Sequence, residues 1–92
     1  MPTNICREFR IHGHVQGVGF RWWTKSQAIR LGINGSVKNC VDGSVLVRAC
    51  GHQAALDEFA SLLRRGPEGA RVRSMDASPL TDAPGERFII ER

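Results

Sequence analysis

Between Gly13 and Gly19 the apolar period of the chain changes, and that change limits what can be built around it. From Ile5 to Gly13 the residues alternate, with Ile5, Arg7, Phe9 and Ile11 on one parity and Cys6, Glu8, Arg10 and His12 on the other. This is the repeat of a strand with one buried face. Arg7 shares the apolar parity near the strand start, so its head group must reach an edge. From Phe20 the apolar positions fall at Phe20, Thr24, Ala28 and Leu31, the stripe of an amphipathic helix over Phe20–Leu31 that Gly32 ends. Trp22 and Ile29 are expected to widen this stripe, with Trp23 beside it.

Alternation returns over Ile33–Val41, with Ile33, Gly35, Val37, Asn39 and Val41 on one parity. Asp42-Gly43 then marks a hairpin. The returning strand is Ser44–Gly51, with Val45, Val47 and Ala49 inward. A second helix over Ala54–Arg65 presents Leu56, Phe59, Ala60, Leu62 and Leu63 to the core and stops at Gly66-Pro67. Ala70 to Ser78 reads as a fourth strand, Pro79 to Gly85 as a turn, and Arg87–Ile90 as a short last strand. The order βαββαβ plus a terminal strand predicts an α+β ferredoxin-like sandwich. In it, two helices pack on one face of a mainly antiparallel sheet whose first and third strands are neighbours. At 92 residues the chain supports one domain, residues 1–92, with one two-layer core.

No apolar run is long enough to span a bilayer, and Met1-Pro2-Thr3-Asn4 does not begin a signal peptide. A cytoplasmic protein without a membrane partner is expected. The net charge of +4 comes from 13 basic and 9 acidic residues, and eleven of the basic ones are arginine. That favours anionic partners without selecting one, because the charges are scattered. Cys6, Cys40 and Cys50 are odd in number and include no Cys-x-x-Cys pair, which points away from a disulfide framework and from a zinc site. Cys6 and Cys50 do share outward parities on strands expected to be adjacent. They are expected to stay reduced in cytosol and to bridge only on oxidation.

The segment joining the first strand to the first helix, Gly13-His14-Val15-Gln16-Gly17-Val18-Gly19-Phe20-Arg21, is the main candidate for chemistry. It has no Gly-Lys-Ser/Thr ending and lacks the third glycine of a dinucleotide fingerprint. It is either a plain strand-to-helix turn or an anion cradle. The second option combines free amides at a helix start with the planar donor fork of Arg21. Asn39 is the second candidate, because it lies on an apolar-facing parity. Its amide is either satisfied by backbone at the hairpin end or directed at a ligand or water. His12 and His14 lack a third metal ligand nearby in sequence and read as exposed residues flanking the loop. His52 reads as the start of the second helix.

Over nearly its whole length the chain resembles the acylphosphatase family. The likeness rests on Ile11-His12-Gly13-His14-Val15-Gln16-Gly17-Val18-Gly19-Phe20-Arg21 and on Gly35-Ser36-Val37-Lys38-Asn39. Gly43, Val45 and Gly51 follow at the family's spacing, and Gly66-Pro67 is followed by Ala70 and Val72. Ser36 departs from the pattern, which usually has an aromatic residue there. The resemblance implies hydrolysis of the carboxyl–phosphate bond of small acyl phosphates without metal or cofactor. It implies that loop amides over Gln16, Gly17, Val18, Gly19, Phe20 and Arg21 hold the phosphoryl oxygens, that Arg21 clamps the phosphate, and that Asn39 positions the attacking water. Monomer is the default for a chain of this size and pattern, and inorganic phosphate or sulfate is expected as a site-bound anion. Neither motif holds an obvious general base, so the water's proton is expected to pass to the substrate or to solvent.

Two other classes compete. An RNA-binding module on the same layout would show stacking aromatics on the open sheet face. Here that face carries Cys6, Glu8, Arg10, His12, Leu46, Arg48 and Cys50, so no nucleic-acid partner is expected. A relay domain like the one beginning hydrogenase-maturation carbamoyltransferases would continue into a longer, cysteine-rich chain, and a free-standing enzyme is the expectation here.

Overall fold

The change of period at Gly13–Gly19 becomes a strand, a loop and a helix. The computed structural model describes residues 4–81 and 85–92. The elements run β1 (Asn4–His14), α1 (Phe20–Leu31), β2 (Asn34–Asn39), β3 (Val45–His52), α2 (Gln53–Arg65), β4 (Arg71–Pro79) and β5 (Phe88–Ile90). The sheet order is β4-β1-β3-β2-β5, antiparallel except where β5 lies parallel to β2. This is the ferredoxin-like arrangement with one added edge strand, and β1 and β3 are neighbours as expected. The expected turn over Pro79–Gly85 lies partly outside the described residues.

Phe9 and Ile11 of β1, Val37 of β2 and Val45, Val47 and Ala49 of β3 form one buried sheet face. Leu56, Phe59, Ala60 and Leu63 of α2 close over it, and Leu62 stays half-buried at its margin. Phe59 sits edge-on to both Phe9 and Phe88, with ring centroids 6.3 and 6.2 Å apart. These three rings tie α2 to the middle and far edge of the sheet. The Arg7 head group finds Asp57 of α2 at 2.9 Å, which resolves the charge on an apolar parity. Helix α1 ends as its sequence implies. Gly32 takes φ 71° and Ile33 N–H donates to the Ala28 carbonyl at 2.8 Å, closing the helix with a left-handed residue.

Three expectations need correction. Strand β2 ends at Asn39, not Val41, because Cys40 N–H bonds the Ser44 carbonyl and the intervening residues form the turn, leaving Val41 fully exposed. Trp22 and Ile29 do not widen the buried stripe of α1, since both face solvent. Trp23 packs inward instead, edge-on to Phe20 at 5.5 Å. Third, Cys6 stands directly opposite Cys50 across β1 and β3, and the two form a disulfide. Odd cysteine number was a poor guide here, because register alone brings this pair together. Ser36 lies on the same open face, buried and paired with Arg48 of β3, away from the core under the helices.

The disulfide closes a loop with a sequence separation of 44. A cross-link of that span is expected to stabilise the fold by about 2–4 kcal/mol through restriction of the unfolded chain. Urea unfolding of the Cys50→Ser variant should show a lower midpoint and a steeper slope, because the unfolded chain is more expanded without the cross-link. An unchanged midpoint would mean that the bridge contributes nothing to stability.

Candidate active site

Two features of β1 deliver the chain into the loop. Its register with β4 shifts between His12 and Gly13, and a side chain at Gly13 would meet the Arg71 carbonyl. Glycine therefore lets β1 bulge against its neighbour and turn outward. Beyond the buried Val15, Gly17 and Gly19 both adopt left-handed φ, 77° and 76°. Gly19 occupies the cap position of α1 and supplies no side-chain hydrogen bond, and no acidic residue stands in the first turn. The Gly19 carbonyl accepts from Trp23 N–H at 3.0 Å, so the helix begins there. The amides before Trp23 are left without the Ser, Thr or Asp cap that usually satisfies them.

The residues bearing these amides, Phe20, Arg21 and Trp22, line a small cavity of about 90 Å³ together with Val15, Gly17, Gly19 and Asn39. Five of the expected site residues, Gly17, Gly19, Phe20, Arg21 and Asn39, thus meet at one place. Gln16 and Val18 do not line it. Val18 packs against the core, and the Gln16 side chain turns away to donate to the Cys40 and Ser44 carbonyls at 2.8 and 2.9 Å. That amide braces the loop against the β2–β3 hairpin. A larger hollow of about 680 Å³ lies beside the N-terminal half of β1, under α2. It is mostly apolar and contains none of these residues, so size does not identify the site.

Arg21 is held from an unexpected quarter. Its Nη1 donates to the Glu91 carbonyl at 3.3 Å, and Glu91 N–H in turn donates to the Val37 carbonyl at 2.8 Å. The segment after β5 therefore links the arginine to the strand that carries Asn39. Among the described residues one guanidinium nitrogen is engaged in this way, and the other donors of the fork are free.

The hairpin bearing Asn39 is fixed by a polar network. Arg10 Nη1 donates to Ser44 Oγ at 3.1 Å and reaches Cys40 Sγ at 3.5 Å. Asp42 Oδ1 accepts from Ser44 N–H at 3.0 Å and from Ser44 Oγ at 2.6 Å. The two bonds from Ser44 hold the Asp42 carboxyl below its ordinary 3.8, helped by the positive charge of Arg10 and His12. A lowered carboxylate pKa means that the network is fully stabilised above 3.8 and loses that support as pH falls through the folded value. Activity measured in brief acid pulses should accordingly drop below about pH 4. Asp42→Asn should flatten that part of the profile and lower turnover at neutral pH, and an unaltered acid limb would remove Asp42 from the account.

His12 sits 3.3 Å from Asp76 on β4, while His14 is exposed beyond the bulge. The two histidines lie on either side of the register shift rather than together on one edge. Among the described residues no helix is long and apolar enough to cross a membrane.

An α1 start without a side-chain cap, the Arg21 guanidinium and the Asn39 amide come together at one small cavity of a ferredoxin-like scaffold. The family model of acylphosphatases matches residues 7–90. The acylphosphatase of Vibrio parahaemolyticus is 41% identical over 85 residues, covering 92% of this chain and 94% of that protein. Among solved structures, an acylphosphatase from Coxiella burnetii superposes with TM-score 0.92 at 28% identity, covering 96% of this chain and 93% of that one. That from Bacillus subtilis gives 0.90 at 30% identity, covering 96% and 99%. The chain belongs to the acylphosphatase family.

Proposed function

We propose that the protein hydrolyses small acyl phosphates by attack of water at phosphorus, with inorganic phosphate and a carboxylate as products. The observation that supports this best is the convergence of the uncapped α1 start, Arg21 and Asn39 on one small cavity. Oxygens of the phosphoryl group accept from the loop and helix amides of Gly17, Gly19 and Phe20, with the backbones of Gln16 and Val18 completing the turn. Arg21 takes a further oxygen through its free guanidinium edge. Such donors are pre-oriented toward charge on the phosphoryl oxygens and need no reorganisation as the reaction proceeds. Asn39 holds the water opposite the leaving carboxylate. A new bond forms from the water oxygen to phosphorus as the bond from phosphorus to the acyl oxygen breaks, and the carboxylate departs with that electron pair.

An acyl phosphate is a mixed anhydride, and its carboxylate leaves readily. Positioning and electrostatics suffice, and no protein nucleophile is called for. The water's proton goes to a phosphoryl oxygen or to solvent, since no side chain lining the cavity is a base. The substrate partner is a small acyl phosphate, and the same cavity takes inorganic phosphate or sulfate. We further propose that the enzyme is monomeric and cytoplasmic.

The test is turnover in water enriched in heavy oxygen. Label appearing in the phosphate product is the expected result. Label in the carboxylate would mean attack at the carbonyl carbon and would overturn the assignment of Asn39.

A further inference from the structure

Four large apolar side chains are exposed among the described residues: Trp22, Ile29, Val41 and Ile89. A scattered exposed apolar residue needs no explanation. One of these four, however, lines the candidate active site, and a second follows one of the site's residues closely in sequence. Trp22 lines the cavity itself and is 69% exposed, and Val41 is fully exposed two positions beyond Asn39 at the hairpin turn.

Packing does not account for Trp22. Helix α1 is seated by Phe20, Thr24 and Ala28, and Trp23 already supplies the aromatic contact to Phe20. The Lys25 ammonium lies 5.8 Å from the indole centroid and holds the ring on the helix surface by a cation–π contact. The cavity matters too. At about 90 Å³ it has room for on the order of three waters, enough for a phosphoryl group and its attacking water and little besides. The acyl half of a substrate must therefore lie outside the cavity, against whatever surface borders it.

We propose that Trp22, with Val41 on the hairpin, forms the platform on which the acyl half rests, so that the enzyme selects aromatic acyl phosphates over acetyl phosphate. This rests on the hydrolytic reading above. A flat ring beside the phosphoryl cradle offers area to another flat ring and almost none to a methyl group. Its restraint by Lys25 lowers the ordering cost of that contact. Trp22 acts here as a specificity-determining residue and leaves the bond-breaking step to Arg21 and Asn39.

The experiment compares kcat/KM for benzoyl phosphate and for acetyl phosphate in the wild-type protein and in Trp22→Ala, Trp22→Phe and Val41→Ser. The benzoyl-to-acetyl ratio should fall about tenfold in Trp22→Ala. It should recover in large part in Trp22→Phe and fall by a smaller factor in Val41→Ser. A ratio in Trp22→Ala equal to that of the wild type overturns the platform and leaves the hydrolytic reading standing. A wild-type protein that hydrolyses neither acyl phosphate overturns both.

Discussion

Arg21→Ala is expected to lower kcat/KM for an aromatic acyl phosphate by about a thousandfold or more. The substitution removes the one guanidinium that lines the cavity, and with it a donor fork already oriented by the Glu91 carbonyl. Inhibition by inorganic phosphate should weaken alongside turnover, because charge and geometry both contribute to ground-state binding. Arg21→Lys should restore only part of the loss. An ammonium keeps the charge but cannot bond Glu91 and two phosphoryl oxygens in one plane. Near-normal turnover in the alanine variant, with the fold intact by circular dichroism, would remove Arg21 from the site.

Asn39→Ala should separate binding from chemistry. Turnover is expected to fall about a hundredfold, the scale of a misplaced reactant. The inhibition constant for inorganic phosphate should change little, since the loop amides and Arg21 are untouched. Asn39 terminates β2 and sits only partly buried, so the truncation leaves the core closed. If phosphate binding collapses together with turnover, Asn39 acts as a brace for the hairpin and the water must be positioned by something else.

What the sequence made legible follows the range of the forces involved. The span Phe20–Leu31 was readable to the residue, because Gly19 and Gly32 punctuate it and local spacing sets the stripe. Asn39 was singled out by its parity, a local property, and it does face the cavity. The pattern put Trp22 rather than Trp23 on the buried stripe, and packing reverses the two. Both fall near the edge of the stripe, and the contact of Trp23 with Phe20 decides between them.

The Gln16 side chain was invisible as a brace for another reason. Its carbonyl acceptors at Cys40 and Ser44 belong to a turn whose geometry appears only after β2 and β3 pair. The disulfide was half legible: outward parity on adjacent strands named the pair, and the β1–β3 register sets Cys6 directly opposite Cys50. Compartment arguments about thiols do not contain that register. The tie between Arg21 and Glu91 joins residues 70 positions apart through a backbone carbonyl, for which side-chain identity carries no signal.

That last tie bears on the order of events during refolding. The loop and α1 are local and can form early, whereas the segment that steadies Arg21 arrives only when β5 docks in parallel beside β2, a pairing of distant parts of the chain. Secondary structure can thus be largely restored while the guanidinium still swings free. Recovery of turnover becomes a clock for the docking of the final strand, and it should run behind the recovery of helical signal.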